Sequence, residues 1–217
     1  MPLKASDDVN LRDRLQTGLE QLGLSFDDHQ VSQLLRYIAL LEQWNVAYNL
    51  TAVKDPQEMI DLHILDSLAV AKYLHAENIL DVGSGAGLPG IPLAIMLPTK
   101  FFTLIDSNGK KTRFLFHARS TLGLRNCIEV HQRVEEYSCS QRFDVVISRA
   151  FSGLAAMVKN CRHLLRDNGL FFAMKGKLPV DELDQLPSGY DVLQIEKLLV
   201  PGLLADRHLL QIAPSKQ

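Results

Sequence analysis

Hydrophobic residues in the first part of the chain recur at helical spacing. Positions 11, 15, 19 and 22 are all leucine, which predicts an amphipathic helix that ends at Gly23. Ser25, with Asp28 three residues later, predicts a capping box at the start of a second helix. The apolar positions between Val31 and Trp44 then line one face of that helix.

A third helix is predicted from Asp55-Pro56, because a capping residue followed by proline is a typical helix start. His63 and Asp66 lie one turn apart on this helix. We therefore expect these two side chains to form a local hydrogen-bonded pair. Together the helices predict an N-terminal helical cap over residues 1–77.

From residue 78 onward, short apolar runs alternate with helical stretches, the pattern of a parallel sheet covered on both faces. Only eight residues separate the last two runs, so these strands should pair as an antiparallel hairpin. Such an α/β sheet is typical of the Rossmann-like fold of class I methyltransferases, predicted here for residues 78–217. The predicted strands are 79–82, 101–106, 127–131, 143–148, 169–175, 192–199 and 208–213, and the predicted helices are 90–97, 109–122, 153–165 and 179–185.

Composition narrows the class of protein. A chain of 217 residues with 47% hydrophobic content can form one substantial domain with a small addition. The N-terminus is polar and no run of about eighteen apolar residues occurs, so we expect a cytoplasmic protein without a membrane partner. The three cysteines are widely spaced, with neither a CxxC pair nor a histidine cluster, which predicts reduced thiols and no metal site.

The net charge of −2 conceals an uneven distribution along the chain. Residues 1–77 contain 6 Lys or Arg and 12 Asp or Glu, whereas residues 78–217 contain 17 and 13. Attraction of nucleic-acid phosphates to the predicted sheet is one interpretation of this basic excess. Solvated helix faces are the other interpretation.

A glycine-rich loop, with the sequence Asp-Val-Gly-Ser-Gly-Ala-Gly over residues 81–87, follows the first predicted strand. Gly83, Gly85 and Gly87 should leave backbone amides open beside the next helix, where a nucleotide-like ligand can approach. The run 85–90 also fits the dinucleotide pattern GxGxxG, which alone leaves NAD open.

Two acidic residues at strand ends bear on this choice. Asp81 favours S-adenosylmethionine, because a carboxylate there suits a cationic amino-acid group and repels a pyrophosphate. Asp106 ends the next strand, where a carboxylate reaches ribose hydroxyls of either cofactor. Turn formation or helix capping is the alternative interpretation for both residues.

Later strand ends add to the same predicted crevice. Val134 and Glu135 follow the third strand, where an adenine ring would lie, and Arg149 follows the fourth strand. That strand end lacks the Asn/Asp-Pro-Pro-aromatic turn common in methylation of exocyclic amines. No cysteine lies at the C-terminal end of a strand to attack a pyrimidine. A nucleophile that needs no activation remains.

Several motifs, in the right order, resemble the RsmG (GidB) family of small-subunit ribosomal RNA methyltransferases. They are residues 49–52, 63–68, 81–92, 106–111, 148–151 and 175–176. The resemblance implies methyl transfer from S-adenosylmethionine to N7 of a guanine in 16S rRNA, conventionally guanine 527. It also implies cofactor contacts at Gly83, Leu88, Val134, Glu135 and Arg149. Leu88 stands where many relatives carry phenylalanine.

N7 of guanine has a free lone pair, so an in-line SN2 attack on the sulfonium methyl group requires alignment and no general base. Arg149 is therefore predicted to orient the cofactor or the base, and no other catalytic residue is assigned. A structural arginine bonded to strand-end carbonyls is the alternative.

The implied partner is 16S rRNA or the small ribosomal subunit. Seven basic residues predicted around the crevice are candidates for contact with RNA phosphates. They are Lys110, Lys111, Arg113, Arg133, Lys175, Lys177 and Arg207. The alternatives are a methyltransferase of a small molecule or a protein, a nicotinamide-dependent oxidoreductase, and a non-catalytic RNA-binding module.

Overall fold

The computed structural model describes residues 5–149, 151 and 153–215, and only the backbone of residues 5–8. Ala150, part of the 148–151 motif, lies outside the described residues. The described strands form one seven-stranded sheet in the order β3-β2-β1-β4-β5-β7-β6. They are β1 (Asn78–Val82), β2 (Phe101–Asp106), β3 (Cys127–His131), β4 (Phe143–Ser148), β5 (Leu165–Lys175), β6 (Tyr190–Lys197) and β7 (His208–Pro214).

Strands β1 to β5 pair in parallel, and β7 is antiparallel to both β5 and β6. This arrangement confirms the predicted mostly parallel sheet with an antiparallel C-terminal hairpin. The chain order reverses on either side of β1, whose neighbours are β2 and β4. In open α/β sheets, ligands bind outside the carboxyl ends of the strands at such a switch point.

The described helices surround this sheet. They are α1 (Ala5–Gln21), α2 (Asp28–Tyr48), α3 (Pro56–Met59), a π-helical segment (Ile60–Leu65), α4 (Asp66–Leu68), a 3₁₀ turn (Ala71–Tyr73), α5 (Gly90–Met96), α6 (Gly109–Leu122), α7 (Leu154–Cys161), a second 3₁₀ turn (Arg162–Leu164) and α8 (Val180–Asp184). None of them is both long and apolar enough to cross a membrane.

The start of α2 differs from the expected capping box. Asp27, with extended backbone, is the N-cap, and its carboxylate accepts the Gln30 amide at 2.8 Å. The Gln30 side chain accepts the Asp27 amide at 3.0 Å in return. The capping box at Ser25 and Asp28 was therefore the wrong assignment, because the reciprocal pair of donors and acceptors lies two residues later.

Strand β5 begins at Leu165, earlier than expected, and the predicted helix 153–165 is shorter, because α7 ends at Cys161 and a 3₁₀ turn follows it. Its pairing with β4 shifts register, since Phe143 faces Leu165 and Val145 faces Leu170. Residues 166–168 are charged or polar, which is why the sequence indicated only the later, apolar part of this strand.

The cap helices pack on the same side of the sheet as α5 and α6. Buried leucines of α1 and α2 belong to one hydrophobic cluster with side chains of β1, β2 and these two helices. A second cluster, which includes side chains of α7, covers the opposite face. The division of the chain at residue 77 stays a prediction, since apolar packing is continuous across it.

Candidate active site

The loop after β1 folds back against the end of β2. The amides of Gly83 and Ser84 both donate to the Ile105 carbonyl, at N···O distances of 2.9 and 3.2 Å. The Gly85 amide donates to the Asp106 carboxylate at 2.9 Å. The expectation that the glycines leave open amides is therefore wrong here, because the neighbouring strand end already accepts these donors.

The remainder of the loop is buried. Gly87 and Leu88 donate their amides to the Ser84 carbonyl at 2.7 and 3.0 Å. A Cβ on Gly87, whose φ is +89°, would lie 2.6 Å from the Ile91 side chain, so a larger residue would force that side chain to move. Leu88 belongs to the hydrophobic core. Both residues shape the loop, and direct contact of either with a cofactor stays a prediction.

Asp81 lies fully buried in β1 beneath this loop. Its Oδ2 accepts the Gly90 amide at 3.0 Å, while Oδ1 has no hydrogen-bond partner among the described residues. Burial raises the pKa of this carboxyl to about 7, and the hydrogen bond from the Gly90 amide opposes the shift. Asp81 therefore holds the start of α5, directly after the loop, through the Gly90 amide. Its direct contact with a methionine amino group stays a prediction.

A cavity of about 330 Å³ opens at the carboxyl ends of β1, β2 and β3, and we call it the first cavity. Its lining includes Gly83, Asp106, Lys111, Arg133, Val134 and Glu135. A Cβ on Gly83 would meet no atom within 4 Å, so a ligand can approach the main chain there. The first cavity thus brings together four of the predicted cofactor residues.

Asp106 forms one wall of the first cavity and is almost fully buried. Its Oδ1 accepts the Asn108 amide at 2.8 Å, and the Lys111 ammonium lies 3.9 Å from its Oδ2. Asn108 in turn caps α6 through the Lys110 amide. The turn-forming and ligand-facing interpretations of Asp106 are thus compatible, since a carboxylate oxygen has more than one lone pair.

A second cavity, of about 370 Å³, lies at the carboxyl ends of β4 and β5. Its lining includes His63 and Asp66 from the cap, Arg149 after β4, Met174 and Lys175 from β5, and Arg207 before β7. Since β1 and β4 are neighbours, both cavities open at the same edge of the sheet. Arg149, for which the family resemblance implied a cofactor contact, lines this second cavity and not the first.

One carboxylate holds two arginines at the second cavity. Asp66 Oδ2 accepts from Arg149 Nη1 at 3.1 Å, and Asp66 Oδ1 accepts from Arg207 Nε at 2.8 Å. The same Arg149 nitrogen donates to the Leu62 carbonyl at 3.0 Å. Sequence reasoning missed this cluster, because the ion pairs join residues 83 and 141 positions apart.

The predicted hydrogen bond between His63 and Asp66 is wrong. His63 Nε2 pairs with Thr51 Oγ1 at 2.7 Å, and Asp66 turns to the arginines. The π-helical segment explains the difference, because a π-helix has more residues per turn and moves positions three apart off one face. Burial lowers the pKa of the His63 imidazole, so this residue stays neutral near pH 7.

The seven basic candidates divide into three groups. Lys111 and Arg133 line the first cavity, and Lys175 and Arg207 line the second. Lys175 is also paired with Glu182 at 2.8 Å. The others, Lys110, Arg113 and Lys177, are exposed.

A second contact that sequence reasoning missed joins the cap to the loop. The buried Tyr37 hydroxyl of α2 donates to the Ala86 carbonyl. Burial raises the pKa of this phenol, so the hydroxyl keeps its proton. An aromatic residue on an apolar helix face carries no signal of such a partner.

Comparison with known proteins places this site in a family. The family profile described as "GidB: rRNA small subunit methyltransferase G" matches residues 30–210. The chain belongs to the GidB family. A family relative from Salmonella arizonae, named "Ribosomal RNA small subunit methyltransferase G", is 51% identical over 203 residues, which cover 94% of this chain and 98% of that protein. A protein of the same name from Nitrosococcus oceani is 50% identical, covering 93% and 94%.

Solved structures outside the GidB family share the fold at low identity. A ribosomal protein L11 methylase from Lactobacillus delbrueckii aligns with a TM-score of 0.56 at 13% identity, covering 70% of this chain and 77% of that one. Precorrin-6y C5,15-methyltransferase from Geobacter metallireducens aligns with a TM-score of 0.52 at 15% identity, covering 69% and 86%. These likenesses confirm the Rossmann-like methyltransferase fold.

Proposed function

We propose that this member of the GidB family transfers a methyl group from S-adenosylmethionine to N7 of a guanine in 16S rRNA, conventionally guanine 527. The observation that carries the proposal is the family match over residues 30–210, together with full-length relatives named as small-subunit rRNA methyltransferases. The substrate would be the RNA or the small ribosomal subunit, and the location the cytoplasm.

The first cavity fits S-adenosylmethionine better than a dinucleotide. Because the amides of Gly83, Ser84 and Gly85 donate within the protein, a pyrophosphate would find few donors on the loop. Asp106 would accept from ribose hydroxyls. Val134, which is buried beside the exposed Glu135, offers an apolar contact and main-chain groups to an adenine ring.

When bound, S-adenosylmethionine supplies the electrophilic methyl group on its sulfonium. N7 of guanine supplies a lone pair and loses no proton, so the protein has to align the two reactants and exclude other geometries. Alignment can account for up to about 7 to 11 kcal/mol of barrier reduction. Arg149, which lines the second cavity after the end of β4, is the proposed orienting residue.

Contacts with RNA phosphates are proposed for the seven basic residues named above. Those at the cavities, Lys111, Arg133, Lys175 and Arg207, would act close to the target nucleotide. Those on the exposed surface, Lys110, Arg113 and Lys177, would act further along the RNA backbone. Phosphate contacts position a nucleic acid and carry no sequence information themselves.

The test is methylation with radiolabelled S-adenosylmethionine of small subunits, or their RNA, from cells that lack the modification. We expect label in 16S rRNA and chemical strand cleavage at a single N7-methylguanine. Label in protein or in a small molecule would favour the alternative substrate classes. Label in RNA without cleavage would support an RNA methyltransferase activity but contradict the assignment of N7 as the methylated atom.

A further inference from the structure

We propose that Asp66 is a positioning residue for the target guanine. It would hold Arg149 and Arg207 so that their remaining N–H groups donate to the guanine O6 in the second cavity. The inference rests on the proposed function and deepens it, because it assigns the reading of the base to a carboxylate of the cap.

Asp66 contacts two cationic side chains at once. It is 3% exposed, and each of its oxygens accepts from one guanidinium, at 3.1 Å for Arg149 and 2.8 Å for Arg207. The two arginine side chains are 25% and 22% exposed, so both reach the cavity. The Arg207 contact has the length of a strong charge-assisted hydrogen bond. The longer Arg149 contact is accompanied by a bond from the same nitrogen to the Leu62 carbonyl.

Both arginines keep donors to spare. A guanidinium has five N–H groups. In the described residues Arg149 donates only through Nη1, and Arg207 donates through Nε to Asp66 and through Nη1 to the Asp206 carbonyl. Each Nη2 group is therefore without a hydrogen-bond partner within the described part of the chain. Since both arginines line the second cavity, they can offer these donors to a ligand there.

A wall of donors suits guanine and opposes adenine. Guanine carries the acceptor O6 beside N7, whereas adenine carries an amino donor at the same position. The usual bidentate contact of arginine with O6 and N7 cannot form, because N7 has to face the methyl group. O6 is then the acceptor next to the reacting atom that an arginine can reach. A donor left unpaired by the wrong base would penalise that base.

The negative charge of Asp66 also keeps the two arginines together. Without the carboxylate, two like charges would face one partly buried cavity, and each would leave its present orientation for solvent. The protein would keep both side chains and lose their alignment. Asp66 therefore acts on the base through the arginines and does not need to touch it.

The experiment compares two target bases in small subunits reconstituted from ligated 16S rRNA. One RNA carries guanine at the target position, and the other carries 2-aminopurine, which keeps N7 and the 2-amino group and lacks O6. For Asp66→Asn we expect kcat/KM on guanine to fall at least about tenfold. The value on 2-aminopurine should stay within about twofold of wild type, so the ratio between the bases collapses. The Kd of the cofactor should stay within about twofold.

Asp61→Asn is the matched control. Asp61 is a buried carboxylate of the preceding π-helical segment (Ile60–Leu65), pairs with Arg14 and does not line the second cavity. It should leave the ratio between the two bases at the wild-type value. Arg207→Gln, which changes the contact from its other end, should lower the ratio as Asp66→Asn does and covers the case in which Asp66→Asn does not fold.

An equal loss on guanine and 2-aminopurine in both Asp66→Asn and Arg207→Gln would overturn the reading of O6. A collapse of the ratio in Asp61→Asn as large as that in Asp66→Asn would overturn it as well. Failure of the wild-type protein to methylate the guanine subunits would instead contradict the proposed function. The two failures are therefore distinguishable.

Discussion

The two cavities are assembled from the chain in different ways. The first cavity is formed by three consecutive strand ends and the loops that follow them. The second combines the cap, the ends of β4 and β5, and Arg207 before β7. The difference teaches that the proposed cofactor contacts reside in short contiguous motifs, whereas the proposed base contacts exist only when the cap is docked on the sheet.

Arg149→Ala gives the largest expected effect and tests directly whether the two cavities have separate roles. Arg149 lines the second cavity and is bonded to the cap at Leu62 and Asp66. We expect kcat/KM for small subunits to fall about 100-fold, since hydrogen bonds to charged groups are worth ~1.5–3 kcal/mol. The Kd of the cofactor should change less than about fivefold, measured by calorimetry. A larger change in cofactor affinity than in kcat/KM would indicate that Arg149 acts mainly on the cofactor.

Much of the sheet and of the first cavity could be predicted from the sequence. The succession of strands and helices along the chain follows from apolar runs alternating with helical stretches, the pattern of a parallel sheet covered on both faces. Gly83, Asp106, Val134 and Glu135 follow strands whose carboxyl ends must meet at one edge, so their convergence on the first cavity was predictable.

The second cavity could not be predicted from the sequence in the same way. Asp66 gives no sign in the sequence of two partners from distant strand ends, and the π-helical segment before it breaks the spacing on which the expected pair with His63 depended. Likewise, the open amides expected from Gly83 and Gly85 proved to be engaged, because a glycine pattern carries no information about the acceptors of a neighbouring strand.

Asp81→Asn has the next largest expected effect and tests how the first cavity is supported. Burial raises the pKa of Asp81 to about 7, above its ordinary value near 4. The folded protein therefore binds the proton more tightly than the unfolded chain, and stability falls as pH rises from about 4 to about 7. Asparagine cannot ionise, and its side-chain oxygen can still accept from Gly90.

We expect Asp81→Asn to raise the free energy of unfolding at pH 8 by at least about 1 kcal/mol relative to wild type, with the difference vanishing below about pH 4. Chemical denaturation at several pH values measures this difference. Its cofactor affinity should fall if Asp81 serves the methionine amino group. An equal gain in stability at pH 4 and pH 8 would contradict the assigned ionisation.

Lys111→Ala and Lys110→Ala give the smallest expected effects and define the boundary of the first cavity. Lys111 lines the cavity beside Asp106, whereas the neighbouring Lys110 is exposed on α6. Removing the Lys111 charge should tighten the cationic S-adenosylmethionine about twofold, since exposed charge interactions are worth ~0.2–1 kcal/mol. S-adenosylhomocysteine, which lacks the sulfonium charge, should change less.

Lys110→Ala should leave both cofactor affinities unaltered and reduce the salt dependence of RNA binding by a slope of about 0.7 to 0.9 if it contacts one phosphate. Calorimetry with the two cofactors and RNA binding at several salt concentrations separate these effects. If Lys110→Ala changes both cofactor affinities as much as Lys111→Ala does, the position of Lys111 in the first cavity has no specific effect on cofactor binding. The proposed repulsion between Lys111 and the sulfonium would then be wrong.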